Sequence, residues 1–132
     1  MVQVTGHSLG AALAHVAAVD FYNNAIPIES TITFGSPRTG NMQFMQYYAK
    51  AGGVQWRVTH DRDPVIHLPP QGYGSRFWHV ATEVYFGSPD GYDYTVCDGS
   101  GEDQSCSWGV LPLPSTRDHL HMLGRHLGTY GC

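Results

Sequence analysis

The sequence predicts an α/β protein whose mainly parallel sheet is flanked by helices. Short β-favouring runs alternate with helical periodicity over the first 60 residues. This strand–helix–strand order is typical of parallel βαβ units with right-handed crossovers. The chain has 132 residues, 42% of them hydrophobic, which is enough for one buried core and too few for two. We therefore expect one domain covering residues 1–132.

The first strand and the first helix are predicted to follow each other directly. Residues 2–5 favour a strand that ends in a glycine-containing turn. Beyond the turn, apolar residues recur at the i, i+3, i+4, i+7 and i+8 spacing, which predicts a helix from about residue 9 to residue 23. Its many alanines favour close packing against a sheet. The predicted apolar face consists of Leu9, Ala12, Leu13, Val16 and Ala17.

The next elements repeat the pattern. Residues 31–34 are predicted to form a second strand, which Gly35-Ser36-Pro37 ends. A second helix is predicted over residues 42–51, with Asn41 as its N-cap and two glycines after its last residue. Residues 55–59 are predicted to form a third strand, which runs into a polar turn.

The last third of the chain is less regular. Residues 83–86 resemble a strand, whereas residues 88–114 are rich in Gly, Asp, Ser and Pro and are expected to be too polar for the core. Residues 117–127 predict either a last helix or a loop that leads into one. No repeat or linker separates these parts.

Composition excludes two classes of protein. The formal net charge is −4, and the seven Lys and Arg residues are scattered singly, so no basic stripe is present for a nucleic acid partner. No stretch approaches the roughly 18 to 20 continuous apolar residues that a membrane span needs. We expect neither nucleic acid binding nor a transmembrane segment.

A Gly6-x-Ser8-x-Gly10 pattern stands between the first predicted strand and the first predicted helix. At such a junction a sharp turn lifts the serine hydroxyl clear of the sheet, and the glycines remove side chains that would collide there. The helix that follows points its N-terminal N–H groups at the position of a developing oxyanion, and the N–H of Leu9 is one natural donor. The pattern predicts a nucleophilic serine.

A nucleophilic serine needs a base and a carboxylate that orients the base, in the order Ser, Asp or Glu, His. Asp61 and Asp63 both follow the third predicted strand, and the residues themselves do not separate the two. Asp63 precedes a proline, which favours an extended or turn backbone. His119 and His121 in the C-terminal segment are the candidates for the base.

Two other histidines are expected to have no catalytic role. His7 lies within the elbow, where its side chain is expected to point away from that of Ser8. His15 lies on the first predicted helix, where a solvated or hydrogen-bonded surface position is expected.

Four blocks occur in order along nearly the whole chain: TGHSLGAALA at 5–14, TFGSPRTGN at 33–41, RDPVIHLPP at 62–70 and DHL at 118–120. Together they resemble the fungal-type class 3 lipases of the α/β-hydrolase fold. The resemblance implies that Ser8 is the nucleophile, Asp63 the orienting carboxylate and His119 the base. The chain departs from the family at Arg62, which is often Asn, and at Ile66, which is often Pro; neither position performs chemistry.

The resemblance also bears on two nearby residues. His79, in a motif similar to the family's His-x-Gly-x-Glu, is expected to be structural and to hold the segment beneath the active-site edge. Asp118 is a rival carboxylate, but a side chain adjacent in sequence to the base is seldom aimed at its ring.

The acidic loop contains Cys97 and Cys106, which are expected to form a local disulfide worth roughly 2 to 3 kcal/mol. Such a bond indicates an oxidising compartment. The spacing of the loop's acidic residues does not match a calcium-binding loop, so we expect a solvated surface loop and no metal or other cofactor. Five aromatic residues are expected either to form an apolar rim for acyl groups or to belong to the core: Tyr73, Phe77, Trp78, Tyr92 and Trp108.

Only seven residues precede Ser8, whereas in the family several strands precede the nucleophile strand. Those strands, the lid and the second oxyanion donor are therefore expected to be absent. We expect the chain to be the C-terminal half of a secreted lipase or esterase whose signal peptide and N-terminal strands lie outside it. The resemblance implies that Cys132 pairs with a cysteine of that absent sequence.

The predicted reaction is carboxylic ester hydrolysis through an acyl-enzyme intermediate. Lipid at an interface is the expected substrate, as for a triacylglycerol lipase, and a feruloyl-type or other carboxylesterase on the same scaffold is the first alternative. The alternative from a different class is a catalytically inactive fragment with only a binding or structural role.

Overall fold

The computed structural model describes residues 1–71, 74, 76–89, 92–110 and 113–128. Tyr73 and Cys132, and with Cys132 its expected pairing, lie outside this part of the chain. The helices are α1 (Leu9–Asn23), α2 (Met42–Tyr48) and α3 (Thr116–Leu120). The strands are β1 (Val2–His7), β2 (Ile28–Phe34), β3 (Gly40–Asn41), β4 (Val54–His60), β5 (Phe77–Trp78), β6 (Glu83–Phe86), β7 (Thr95–Val96), β8 (His121–Met122) and β9 (Arg125–His126).

A mainly parallel sheet organises the described residues. Its strand order is β1-β2-β4-β6-β7, with parallel pairing from β1 to β6 and an antiparallel final pair. The predicted fold class is therefore confirmed. Because β1, β2 and β4 run in the same direction, their carboxyl ends lie at one edge of the sheet, and the residues that follow them are brought together there.

The first helix has the predicted bounds, but the predicted buried face is wrong. Leu9 and Leu13 are 69% and 61% exposed. The buried side chains are those of Ala11, Ala14, His15 and Ala18. A Cβ added at Gly6 would collide with the carbonyl of Gly10, so β1 and α1 approach too closely for leucine between them. The apolar side chains of α1 itself lie on almost all sides of the helix, so their periodicity does not select the face that is buried.

The core lies where α1 and the end of α2 pack on the sheet. It contains Ala18, Ile28, Tyr48, Ala51 and Val80. The Asn41 side chain accepts a hydrogen bond from the backbone N–H of Phe44 and caps α2 as predicted. The helical segment continues to residue 51 as a 3-10 turn.

The C-terminal segment is helical over only part of the range 117–127, for which a last helix or a loop was predicted. α3 has five residues, and an antiparallel hairpin of β8 and β9 follows it, with His121 paired to His126. Ser115 caps α3, because its side chain accepts a hydrogen bond from the N–H of Asp118. No helix among the described residues is long and apolar enough to cross a membrane.

The polar loop contributes to the interior, contrary to the expectation for residues 88–114. Cys97 and Cys106 form a disulfide and are both buried. Glu102 of the same loop makes a two-pronged ion pair with Arg38, with both N–O distances 2.8 Å. A loop of polar composition can be buried when each charge finds a partner of opposite sign.

Candidate active site

The backbone at Ser8 forms a strained turn between β1 and α1. Ser8 has φ 58° and ψ −128°, a region that non-glycine residues rarely occupy. Such a conformation costs on the order of 1 to 3 kcal/mol and persists only where the surroundings impose it. The Ser8 carbonyl accepts hydrogen bonds from the N–H groups of Ala11 and Ala12, so the helix begins immediately after the turn.

The structure brings Ser8, Asp63 and His119 together. Nε2 of His119 lies 2.9 Å from Oγ of Ser8, and Nδ1 lies 2.8 Å from Oδ2 of Asp63. The carboxylate accepts only, so the His119 proton resides on Nδ1, and Nε2 is left to accept the Ser8 hydroxyl proton. The imidazole is thus aligned between an acid that orients it and a hydroxyl that it can deprotonate.

Asp63 is the carboxylate that the fold directs at His119. It follows β4 and is 0% exposed, and its second oxygen accepts a hydrogen bond from the N–H of Val65. Asp61 has its carboxylate 3.6 Å from Nε of Arg62 instead. The residues alone left open whether Asp61 or Asp63 faces the histidine. In the folded chain the turn aims Asp63 at His119 and Asp61 at Arg62.

The other rival residues face elsewhere. Asp118 is buried, and its Oδ2 accepts a hydrogen bond from the backbone N–H of Arg62. The His121 ring lies against the His126 ring, with centroids 4.7 Å apart. Neither residue shares a hydrogen bond with His119 among those found in the described part of the chain.

Leu9, the expected oxyanion donor, is the first residue of α1. An N–H in the first turn of a helix has no intrahelical acceptor, and the positive end of the helix dipole lies there. The N–H of Leu9 therefore adjoins the nucleophile with its hydrogen-bonding capacity unused by the helix.

The expectation for His15 needs correction, and His7 makes a contact that the sequence did not predict. His15 was expected at the surface but is 1% exposed, with its ring nitrogens 3.0 and 3.1 Å from the hydroxyls of Thr39 and Thr33. Burial, together with the positive charge of Arg57, lowers the pKa of His15 to about 3. The His7 ring packs against the ring of His119, with centroids 4.6 Å apart. Sequence position alone gave no sign of that contact.

Gly35 is a site residue that sequence reasoning did not single out. It follows β2 with φ +56°, and a Cβ there would lie 3.1 Å from Nδ1 of His119. A side chain at this position would enter the space that the histidine occupies. The signal available in the sequence was a glycine directly after a strand that ends at the same sheet edge as Ser8.

Buried polar side chains donate hydrogen bonds to the backbone carbonyls of the turn after Asp63. Nη1 of Arg38 donates to the carbonyls of His67 and Pro69, both at 2.8 Å. Nε2 of His79 donates to the carbonyl of Ile66 at 2.7 Å. Burial, the largest cause, keeps the pKa of His79 well below its usual value, so the ring is neutral at neutral pH.

A buried ion pair joins Arg57 of β4 to Glu83 of β6. Nη2 of Arg57 lies 3.1 Å from Oε2 of Glu83, and Thr59 donates its hydroxyl proton to the other carboxylate oxygen. Arg57 also donates to the carbonyls of Val80 and Gly101. Burial lowers the pKa of the Arg57 guanidinium, against the opposing attraction of Glu83. The pair joins β4, β6 and the disulfide loop.

No metal site is formed by the described residues. Glu83, Cys97 and Cys106 are close enough to share an ion, but the two sulfurs are bonded to each other and offer no thiolate. In the acidic loop Asp103 accepts hydrogen bonds from Asp98 and Ser105, which gives its carboxylate partners within the loop itself.

Those residues of the expected aromatic rim that the structure describes lie in separate places. Phe77 and Trp78 line a cavity of about 400 Å³ together with Met42 and other residues, and no triad residue lines it. The ring of Trp108 lies beneath the guanidinium of Arg38, 5.1 Å from it. Tyr92 is largely exposed.

Comparison with known proteins identifies the family of the chain. The model of the family "Lipase (class 3)" matches residues 1–73, more than half of the chain. The chain belongs to the class 3 lipase family. The resemblance inferred from the four sequence blocks is thereby confirmed, and so is the α/β-hydrolase class of the fold.

Three relatives of this class 3 lipase chain illustrate the match. The lipase of Rhizomucor miehei is 35% identical over 131 residues, covering 96% of this chain and 36% of the relative. The secreted mono- and diacylglycerol lipase 1 of Fusarium solani is 41% identical, covering 83% and 34%. A solved triacylglycerol lipase with a serine protease triad as its catalytic centre is 34% identical with a TM-score of 0.82, covering 96% and 49%. The chain thus spans about a third of the length of the curated relatives.

Proposed function

We propose that this class 3 lipase chain carries the catalytic triad of a carboxylic ester hydrolase, with Ser8 as nucleophile, His119 as base and Asp63 as orienting carboxylate. The observation that carries the proposal is the position of His119, which is hydrogen-bonded to both other residues, at 2.9 and 2.8 Å. Ser8 occupies the strained turn at a helix N-terminus that the nucleophile elbow requires.

The acylation step follows from the geometry. Nε2 of His119 takes the hydroxyl proton while Oγ of Ser8 attacks the ester carbonyl, and the carbonyl π electrons move to its oxygen. The N–H of Leu9 stabilises that oxyanion. Asp63 stabilises the imidazolium. As the oxyanion re-forms the carbonyl, the ester C–O bond breaks and the imidazolium protonates the departing alcohol, which leaves the acyl group on Ser8. In deacylation His119 deprotonates a water that attacks the acyl carbonyl, the bond to Oγ breaks, and the imidazolium returns its proton to Ser8 as the acid leaves.

We propose a lipid ester, specifically a triacylglycerol, as the substrate. Support comes from the relatives, two of which are named as acting on acylglycerols. The names of these two relatives give no such support to an aromatic ester of the feruloyl type. An extracellular location is supported by the Cys97–Cys106 disulfide and by the secreted Fusarium relative.

Hydrolysis of p-nitrophenyl butyrate by the expressed chain, beside Ser8→Ala, tests the proposal. The rate should fall on the order of 10³-fold or more in Ser8→Ala. Ser88→Ala is the matched control, since Ser88 is exposed and its side chain has no part in the triad. A fluorophosphonate should label the chain and the Ser88 variant and leave Ser8→Ala unlabelled.

The substrate class is tested separately with an emulsified triacylglycerol and methyl ferulate. Faster hydrolysis of the triacylglycerol supports the lipase proposal, whereas the opposite preference would replace it with a feruloyl-type esterase. A folded chain that hydrolyses nothing faster than Ser8→Ala would assign it to the inactive class instead. Circular dichroism of each variant distinguishes a lost site from a lost fold.

A further inference from the structure

The end of α3 is held by two histidine side chains from other parts of the fold. Nδ1 of His60 lies 3.0 Å from the carbonyl oxygen of Asp118, and Nε2 of His7 lies 2.8 Å from that of His119. The last four carbonyls of a helix have no intrahelical donor. Because a carbonyl only accepts, Nε2 of His7 carries the proton of its hydrogen bond.

His7 therefore contacts the backbone of the residue whose side chain bonds Ser8. It is the last residue of β1 and directly precedes the nucleophile, whereas His119 follows it by 112 residues. The two rings are also in contact, tilted by 32°. The His7 side chain thus links β1, which positions the Ser8 hydroxyl, to the main chain of His119.

This link is important because α3 has little support of its own. The helix has five residues, and isolated helices of this length are unstable in water. Its hydrogen-bonded anchors include the N–H of Ser115 on the carbonyl of Arg62, Asp118 on the N–H of Arg62, and the carbonyl of Leu120 on the N–H of Leu127. The first two connect α3 to the turn that carries Asp63, and His7 connects it to the strand that precedes Ser8.

His7 is suited to donate from Nε2 without competing as a base. Burial is the main cause that lowers the pKa of His7, and the positive charge of a protonated His119 lowers it further. The hydrogen bond to His119 and the charge of Asp63 act in the opposite direction. A neutral ring with its proton on Nε2 keeps the hydrogen bond and adds no charge beside the imidazolium that forms during catalysis.

We propose that His7 is a positioning residue of the ester hydrolase, which fixes the main chain of His119 through its Nε2–H so that the imidazole stays aligned between Ser8 and Asp63. This inference rests on the function proposed above. His7 does not touch the reacting atoms, and its effect passes through His119 alone.

Three variants separate the hydrogen bond from mere packing. The amide nitrogen of Gln reaches the position of a histidine Nε2, whereas that of Asn reaches the position of Nδ1. His7→Gln therefore keeps a donor at the carbonyl of His119. In His7→Asn the side chain is shorter, and its amide donor does not reach that carbonyl. His7→Phe retains a ring against His119 and has no donor.

We expect kcat for p-nitrophenyl butyrate to fall about 10- to 10²-fold in His7→Asn and His7→Phe, with KM unchanged, because a displacement of roughly 1 Å in the base costs this much. His7→Gln should recover most of the loss. The low-field proton NMR signal of the His119–Asp63 hydrogen bond should persist in wild type and His7→Gln and broaden or vanish in the other two.

The outcomes are distinguishable from failure of the proposed function. If Ser8→Ala is inactive and His7→Phe matches wild type, the function stands and the positioning role is overturned. Equal kcat in the Gln and Asn variants also overturns it, even if His7→Phe does not fold. If Ser8→Ala is as active as wild type, the function fails, and the NMR signal alone then decides whether His7 aligns His119.

Discussion

The α-carbon of Gly35 lies against the carboxylate of Asp63, so closely that a Cβ added at Gly35 would stand 2.8 Å from Oδ2. The same added atom would lie 2.9 Å from the terminal methyl of Met122. The Met122 methyl ends a flexible side chain and can shift, whereas Oδ2 of Asp63 is held by its hydrogen bond to His119. The gap between β2 and the turn after β4 has to hold the Asp63–His119 hydrogen bond, and only glycine leaves room for it.

Gly35→Ala should remove most of the activity. The added methyl forces apart Asp63 and His119, and a misplacement of about 1 Å costs on the order of 10²-fold in kcat. Gly52→Ala is the matched control, because Gly52 also has a positive φ but has open space around its Cβ position. Gly52 has φ 79° and ψ −175°, a region that disfavours a Cβ, so Gly52→Ala carries backbone strain without the contact with Asp63. Ester hydrolysis at saturating substrate measures the difference, and equal kcat values in the two variants would contradict the steric argument.

Asp63→Asn and Asp118→Asn should behave differently. Asp63 bonds the ring of His119, so its loss removes the group that fixes the tautomer and is expected to lower kcat on the order of 10⁴-fold. Asp118 bonds the backbone of Arg62, so its loss should lower the free energy of unfolding more than kcat. Kinetics and urea denaturation of both variants measure the contrast. A larger kcat loss in Asp118→Asn would mean that Asp118 is the orienting carboxylate.

Arg57→Met should destabilise the chain by about 3 to 5 kcal/mol, because it leaves the buried carboxylate of Glu83 without its cation. Arg62→Met is the control, since the Arg62 side chain is 42% exposed and its Nε lies 3.6 Å from Asp61, a contact that should contribute only about 0 to 1 kcal/mol. The double variant Arg57→Met with Glu83→Gln should regain part of the loss. Urea denaturation measures all three, and similar losses for Arg57→Met and Arg62→Met would refute the buried-pair argument.

The chain should lose stability in acid through His15. Its pKa is 6.5 in the unfolded state and about 3 in the folded state, so the unfolded state binds more protons between these values. The stabilisation is complete above about pH 6.5 and decreases as the pH falls towards 3. The slope is about 1.4 kcal/mol per pH unit for one proton.

In His15→Gln the slope of the unfolding free energy against pH should be smaller than in wild type by the contribution of one proton. This expectation does not depend on how stable the variant is at pH 7. Thr33→Val serves as the control, because it removes the hydrogen bond to Nε2 of His15 and leaves the titrating ring in place. Its unfolding free energy should be lower at every pH and parallel to that of wild type. Urea titrations between pH 4 and pH 7.5 measure both curves. A curve for His15→Gln parallel to wild type would show that His15 titrates equally in both states.

The sheet, the first helix and the Asn41 cap could be predicted because they depend on local properties. Alternation, helical spacing and a capping side chain act over a few residues, and α1 has the predicted bounds of Leu9 to Asn23. The buried face of α1 could not be predicted, because its apolar residues lie on nearly every side. The choice of Ala11, Ala14 and Ala18 comes from how closely β1 approaches the helix.

The candidate site was predicted in part. The turn at Ser8 has a local signature, whereas the orienting carboxylate depends on the direction in which the turn after β4 aims Asp61 and Asp63. Neither His7 nor Gly35 has a local signature, since each acts on His119 from a different strand end. Burial of His15 escaped prediction for the same reason, because its partners Thr33 and Thr39 come from another segment.

The sequence by itself determined the order of strands and helices, the elbow at Ser8 and the family to which four ordered motifs point. The family resemblance pointed to Asp63, but tertiary structure alone decided how the turn after β4 aims Asp63 at His119, which face of α1 is buried, and how the charges of Arg38 and Arg57 are neutralised. The division has a physical cause. Backbone propensity and capping are settled between neighbours in the chain, whereas aim, burial and charge pairing depend on residues that the sheet brings together from distant segments.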